Sequence, residues 1–304
     1  MNAITNLLDY LEARTKVASL IPFLVGTGFA MYRYGSIRPQ QTLVFFAAML
    51  LFDLTTTAIN NHIDSRHTGG VPHYSNKVSL AIIFAMGLTA SGLGIYLASI
   101  TSVVILIAGV LCFAAGISYS FGLIPISRTP FGELVAGIMM GIFIPFIAVE
   151  ISHPMIAIAF QDFSRVVVTV DWVELLYLVI VAVPVGCTLS SITFANNICD
   201  CEEDARIQRY TLPVCIGMKK SLVLYRLLYI TAYVFVGIGI ALRIVPIFTL
   251  VLILTCAPVR KNIQRFVKLQ DKKQTFVTSI HNFLIITILY AACIWSGSLI
   301  LSIR

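Results

Sequence analysis

Charged side chains are scarce in this sequence. Asp, Glu, Lys and Arg make up 12% of its 304 residues, about half of the roughly 25% usual in soluble domains. Apolar residues make up 58%, and the mean hydropathy is +0.92. A single soluble core of this size does not bury that much apolar surface, so a soluble domain is excluded. The start of the chain lacks the apolar run of a secretory leader: Asp9, Glu12, Arg14 and Lys16 all precede the first such run. No cleavable signal peptide is therefore expected. Cysteine also lacks partners. The seven are odd in number, and the Cys199-x-Cys201 pair is followed by no Cys/His set at metal-ligand spacing. They read as small hydrophobes.

What fills the space is a series of long apolar runs. A span needs about 20 mainly apolar residues, which at ~1.5 Å rise cross ~30 Å of hydrocarbon. Runs of that kind lie near 17–34, 41–60, 79–98, 101–121, 131–150, 173–196, 222–242, 244–258 and 280–301. The fold predicted is an all-α integral membrane protein of about nine transmembrane helices around a central cavity. The eighth run is short and close to the seventh, so eight or ten remain open.

The net charge of +7 is unevenly placed. The N-terminus and the loops after the even-numbered spans hold fifteen of the 21 Lys and Arg residues. The opposite side holds Arg33, Arg38, Arg165, Arg243 and Arg304, with Arg226 just inside the seventh span. That asymmetry predicts a multi-pass cell-membrane protein with its N-terminus and even loops in the cytoplasm. It also accounts for the basic charge without nucleic acid, and it sets the 260–273 cluster against anionic headgroups.

Polar residues collect at two matching places. The second span ends in Asn60-Asn61-His62-Ile63-Asp64, and the sixth in Asn196-Asn197-Ile198-Cys199-Asp200-Cys201-Glu202-Glu203-Asp204. Residues four apart share a helix face, so Asn60 aligns with Asp64, and Asn196 with Asp200 and Asp204. The repetition suggests one domain over 1–304 with pseudo-repeat halves of about 11–150 and 151–304. Carboxylates and amides at the end of a membrane helix are expensive unless something occupies them. Oxygen-rich pairs of this kind suit Mg²⁺ completed by substrate phosphates.

The stretch from Asn196 to Asp204, continuing through Arg206, Arg209, Thr211-Leu212-Pro213-Val214 and Gly217, resembles the second Asp-rich motif of the UbiA superfamily of intramembrane prenyltransferases. It is most similar to the branch acting on 1,4-dihydroxy-2-naphthoate in menaquinone synthesis. Ala13-Arg14-Thr15-Lys16 with Pro22 and Gly26, and Tyr119 through Arg128-Thr129-Pro130-Phe131-Gly132-Glu133, resemble two further family segments. The likeness runs from about residue 11 to 300. The first motif departs from the pattern: Asn61 stands where an Asp is common, and Thr68 where a last Asp would fall.

The resemblance implies transfer of a polyprenyl group from a polyprenyl diphosphate to an aromatic acceptor, yielding demethylmenaquinone, CO₂ and diphosphate. It implies Mg²⁺ on Asn60, Asp64, Asn196, Asp200 and Asp204, with Asp64, Asp200 and Asp204 catalytic. Asn197, Lys16, Arg128, Arg206, Arg209 and Tyr119 join Asn60 and Asn196 as substrate-binding candidates. The ring faces of Tyr119, Phe121 and Phe131 are candidates to stabilise an allylic cation. Lys16, Arg66 and Arg128 equally serve the charge asymmetry. Asp53, seven residues before Asn60, is expected to orient the acceptor or to pair with a Thr. Glu133 is expected to orient the 119–130 loop, and Glu150 to be interfacial. Other readings are a 4-hydroxybenzoate or homogentisate acceptor, a secondary transporter and a silent scaffold. A transporter calls for charges near the bilayer midplane, whereas these acids sit at helix ends.

Overall fold

The computed structural model describes residues 3–67, 74–162 and 165–303, and the side chains of 5–13, 15–63, 74–159 and 165–300. Among the described residues there are thirteen α-helices, and the long ones follow the apolar runs. A short α1 (Ala3–Tyr10) precedes α2 (Val17–Tyr34), which Gly35 stops in the left-handed region at φ 70°. Next come α3 (Pro39–His67), opened by a proline where helices tolerate one, α4 (Asn76–Ser99) and α5 (Val103–Ser120). The fifth apolar run is α6 (Gly132–Ile138), a π-helical turn at Met139–Phe143, and α7 (Ile144–Ser152). After it come α8 (Trp172–Cys199), α9 (Cys201–Arg206), α10 (Leu212–Ile216) and α11 (Met218–Ala241). A 3₁₀ segment (Ile247–Thr255) leads into α12 (Cys256–Lys268), and α13 (Val277–Ile303) closes the chain.

Among the described residues, eight helices are long and apolar enough to cross a membrane: Pro39–Ile63, Asn76–Ser99, Val103–Ser120, Gly132–Ser152, Trp172–Cys199, Met218–Ala241, Ile247–Lys268 and Val277–Ile300. Each overlies a predicted run. The remaining run is α2, whose last turn carries Arg33 between two tyrosines. The 244–258 run proves longer than its apolar part. Arg260, Lys261, Arg265 and Lys268 ride on α12 rather than in a loop. An outward apolar face is clearest on α4, where Phe84 and Leu88 are 73% and 65% exposed.

Helix α8 is the axis of the packed half. It lies against α11, α13, α6 and α2. Its Val185, Leu189 and Phe194 join Tyr225 and Tyr229 of α11, and Phe283 and Tyr290 of α13, in one buried cluster. The buried hydroxyls find partners: Tyr225 bonds Ser279 at 2.7 Å, and Tyr290 donates to the Val181 carbonyl at 3.3 Å. Against the π turn that follows α6 the helix comes closer still. A Cβ on Gly141 would collide with the backbone of Gly186. Gly141→Val is therefore expected to lower stability by about 1–3 kcal/mol, read as a drop in melting temperature in detergent.

The end of α8 away from the second motif carries a feature the helical reading does not include. Strands β1 (Ile156–Asp162) and β2 (Arg165–Val170) form an antiparallel hairpin, with a bulge between Phe160 and Asp162. Glu150 is buried beneath it and accepts from the Met155 amide at 2.8 Å. Its carboxylate accepts from the amides that open the hairpin. Arg33 and Tyr34 at the end of α2 both bond Glu174 of α8, at 2.8 and 2.7 Å, which pins that face.

Candidate active site

The looser half of the molecule surrounds a cavity of about 720 Å³. Its deep wall is apolar: Phe45, Met49 and Phe52 of α3, Ile105 and Phe113 of α5, Met140 of the π turn, and Ile144 of α7. Its mouth is polar, with Ser19, Asp53, Thr56, Thr57, Asn60, Tyr119 and Ser120, and with Thr193 of α8 one turn before the second motif. Such a space holds a long apolar group below a polar head.

The first motif lines this mouth through Asn60, which is exposed to it. Asp64 continues α3 by one turn; its side chain, with that of Arg66, lies outside the described residues, as does Thr68. Asn61 turns away from the cavity and donates to the Tyr10 carbonyl at 2.8 Å. Tyr10 in turn donates to the Ala58 carbonyl at 3.0 Å, and His62 meets Ser79 at 3.0 Å. The Asn61 amide therefore ties α1 to α3. Asn61→Ala is expected to lower amide-exchange protection of α1 by about fivefold, the worth of one such bond. The spans should stay protected.

Two turns deeper, Lys16 is buried against α3. Its ammonium lies 3.0 Å from Asp53 Oδ1, and Ser19 donates to Oδ2 at 2.6 Å. The Thr57 hydroxyl completes the cluster. Asp53 thus pairs with a lysine and a serine of the neighbouring segment, and it is Asp53 and Ser19, with Lys16 buried behind them, that line the cavity.

The second motif closes α8. Asp200 ends that helix and begins α9, and Asn196, one turn earlier, donates to its Oδ2 at 3.4 Å. Lys272, from the segment between α12 and α13, reaches the same oxygen at 2.6 Å. Asp204 is buried and shared: Arg209 lies 3.4 Å from Oδ1, and Thr211 donates to Oδ2 at 3.0 Å. Burial raises the Asp204 carboxyl above the ordinary aspartate range, with Arg209 and Thr211 pulling it partly back. Gln208 takes a left-handed conformation at φ 58° and turns the chain, so that Arg209 folds back over α9. Arg209 also donates to the Ser127 carbonyl at 3.0 Å, gripping the loop after α5.

The other candidates separate. Asn197 is buried away from the cavity and donates to Glu133 Oε1 at 2.9 Å, while Ser190 donates to the Glu133 carbonyl. Glu133 therefore joins α6 to α8. Tyr119 lines the cavity, whereas Arg128, Arg206, Phe121 and Phe131 are exposed on the same end of the bundle. Lys272 escaped the sequence reading because 72 residues separate it from Asp200, and no local spacing links them. The donors at Asp200 and Asn196 are the hard oxygens that suit a small divalent cation, and one positive charge already sits on that carboxylate.

Comparison with known proteins bears on the fold and the family. A 1,4-dihydroxy-2-naphthoate octaprenyltransferase of Bacillus subtilis is 28% identical over 234 residues, 73% of this chain and 69% of that protein. The apo structure of a UbiA homologue from Aeropyrum pernix superposes with a TM-score of 0.68 at 17% identity, covering 96% of this chain and 98% of the other. A UbiA homologue from Archaeoglobus fulgidus, bound to GPP and Mg²⁺, gives 0.67 at 14% identity over 96% and 99%. The profile of the UbiA prenyltransferase family matches residues 19–286. With the long apolar helices, this makes the chain a multi-pass membrane protein that belongs to the UbiA prenyltransferase family.

Proposed function

We propose that the protein transfers a polyprenyl group from a polyprenyl diphosphate to 1,4-dihydroxy-2-naphthoate. The products are diphosphate, CO₂ and demethylmenaquinone at its reduced, quinol level. The observation that carries the reading is the cavity, apolar in its depth and headed by Asn60, opening beside the α8 end that bears Asn196 and Asp200. The relative named for that reaction supports the choice of acceptor. Under this reading α2 is a ninth span, the motif end of the bundle faces the cytoplasm, and the membrane is that of the cell.

Asn60, Asp64, Asn196, Asp200 and Asp204 are proposed to hold Mg²⁺. Bound there, the ion supplies positive charge to the leaving diphosphate. Arg209 is held by Asp204 and Ser127, and with the exposed Arg128 and Arg206 it is proposed to supply positive charge to the diphosphate. Charge on the diphosphate grows as the C1–O bond breaks, so cations set in advance lower the barrier. The bond pair leaves with the diphosphate, and the allylic cation stays in a cavity whose walls exclude water. Tyr119 presents a ring to that space. An acceptor ring carbon supplies the new bond's electrons. The carboxyl then departs as CO₂, returning its bond pair to the ring. The Lys16–Asp53–Ser19 cluster offers hydrogen-bonding groups to the acceptor's oxygens.

Purified protein in nanodiscs, given a polyprenyl diphosphate and Mg²⁺, is expected to release pyrophosphate when dihydroxynaphthoate is added. Absence of release with any aromatic acceptor would overturn the reading.

A further inference from the structure

Lys272 is placed with care for an exposed side chain. Its turn is tied on every side. Asp271 Oδ1 accepts from the amides of Lys273 and Gln274 at 2.9 and 2.6 Å. The buried Thr275 hydroxyl donates to the Leu269 carbonyl at 2.7 Å and receives the Asp271 amide at 3.0 Å. Gln270 donates back to the Phe266 and Val267 carbonyls at the end of α12. Lys272 projects from this fixed turn and closes on Asp200 Oδ2 at 2.6 Å.

The two basic partners of the motif differ in kind. Arg209 is fastened by three hydrogen bonds to two groups, Asp204 and the Ser127 carbonyl, and has 27% of its side chain exposed, whereas Lys272 has 56% exposed. A hydrated ammonium on a flexible four-carbon stem changes partners at little cost. Asp200 faces Lys272 and Asp204 faces Arg209, so each of these two carboxylates has one positive charge balancing it. A divalent cation on Asp200 would upset that balance and repel the ammonium beside it, and an arriving diphosphate would offer the ammonium a new anion.

We propose that Lys272 is a built-in counter-cation for Asp200, released by the divalent metal and taken up by the diphosphate. It rests on the reading of Asp200 as a metal ligand made above. Lys272 so acts as a positioning residue before substrate binds and as a diphosphate contact afterwards.

The test uses the full-length protein in neutral-lipid nanodiscs, with Mn²⁺ and inorganic pyrophosphate as probes. Without pyrophosphate, Lys272→Met is expected to bind Mn²⁺ about three- to tenfold more tightly than wild type, the range a partly exposed ion pair supports. With saturating Mn²⁺, the same variant should bind pyrophosphate about three- to tenfold more weakly, and Lys272→Arg should restore both values. Lys273→Met, which removes a neighbouring exposed charge, should change neither. Wild-type binding unmoved by Lys272→Met, or moved equally by Lys273→Met, would overturn the role of Lys272 alone. A wild-type protein that binds neither probe would overturn the metal-diphosphate site as well. Melting curves of all four proteins in apo form should agree closely, since the pair is exposed on one side.

Discussion

Asp200→Ala is expected to slow prenyl transfer by at least about 100- to 1,000-fold while leaving the fold in the membrane intact. The rate loss follows from where the charge develops. Removing one preorganised stabiliser of a growing anion costs about that factor in other enzymes. The fold should survive because the carboxylate's strongest tie is to Lys272, an ion pair exposed on the lysine side. Pairs of that kind are worth about 1 kcal/mol or less. Losing the weak 3.4 Å bond from Asn196 adds little. Pyrophosphate release and the melting temperature, measured on one preparation, separate the two quantities. A variant that melts normally and turns over at wild-type rate would remove Asp200 from the site.

Asp204→Ala is expected to lose both activity and stability. Asp204 is 2% exposed and has both oxygens engaged, one by Arg209 and one by Thr211. Its removal strands a buried hydroxyl and a guanidinium that is three-quarters covered. Breaking a fully buried pair from one side costs about 3–5 kcal/mol, and the partial exposure of Arg209 trims this to about 2–3 kcal/mol. Arg209 also anchors the loop at Ser127, so that loop should loosen too. Asp204→Asn divides the two roles. An amide keeps an acceptor for Thr211 and recovers part of the stability. Transfer should stay about 100-fold down if the carboxylate is needed at the metal. Transfer recovering together with stability would make Asp204 a positioning residue only. Urea or thermal unfolding alongside the pyrophosphate assay gives both readings.

The spans were legible because a lipid-crossing helix leaves an unbroken apolar run, and each such run carries a helix. The ends were less so. The 244–258 run stops at Arg260, yet the helix continues to Lys268 because an amphipathic turn needs apolar residues on one side only, here Val259 and Phe266. The hairpin at 156–170 was invisible, since two short strands stand among apolar runs many times stronger. The second motif was legible as local spacing on α8, and Asn196 and Asp200 do meet. Their long-range partners were not. Lys272 and Glu133 reach the end of α8, and Ser127 reaches Arg209 beyond α9, across the bundle, and no periodicity encodes a contact of that kind. Asn197 shows the complementary limit. It sits in the motif beside Asn196, but the helical step of one residue points it into the α6 contact instead. Asp53 was read at the right depth, and its partner was missed because Lys16 comes from the segment before α2.

The central claim is that this cavity joins a polyprenyl chain to dihydroxynaphthoate. Mass spectrometry of the lipid products tests it most directly. The enzyme in nanodiscs would be given one polyprenyl diphosphate, Mg²⁺ and, in parallel, 1,4-dihydroxy-2-naphthoate, 4-hydroxybenzoate or homogentisate. The result predicted is a prenylated naphthoquinol lacking the acceptor's carboxyl mass, formed with the first acceptor and lost in Asp200→Ala. A prenylated product from either of the other two acceptors, with none from the naphthoate, would contradict it.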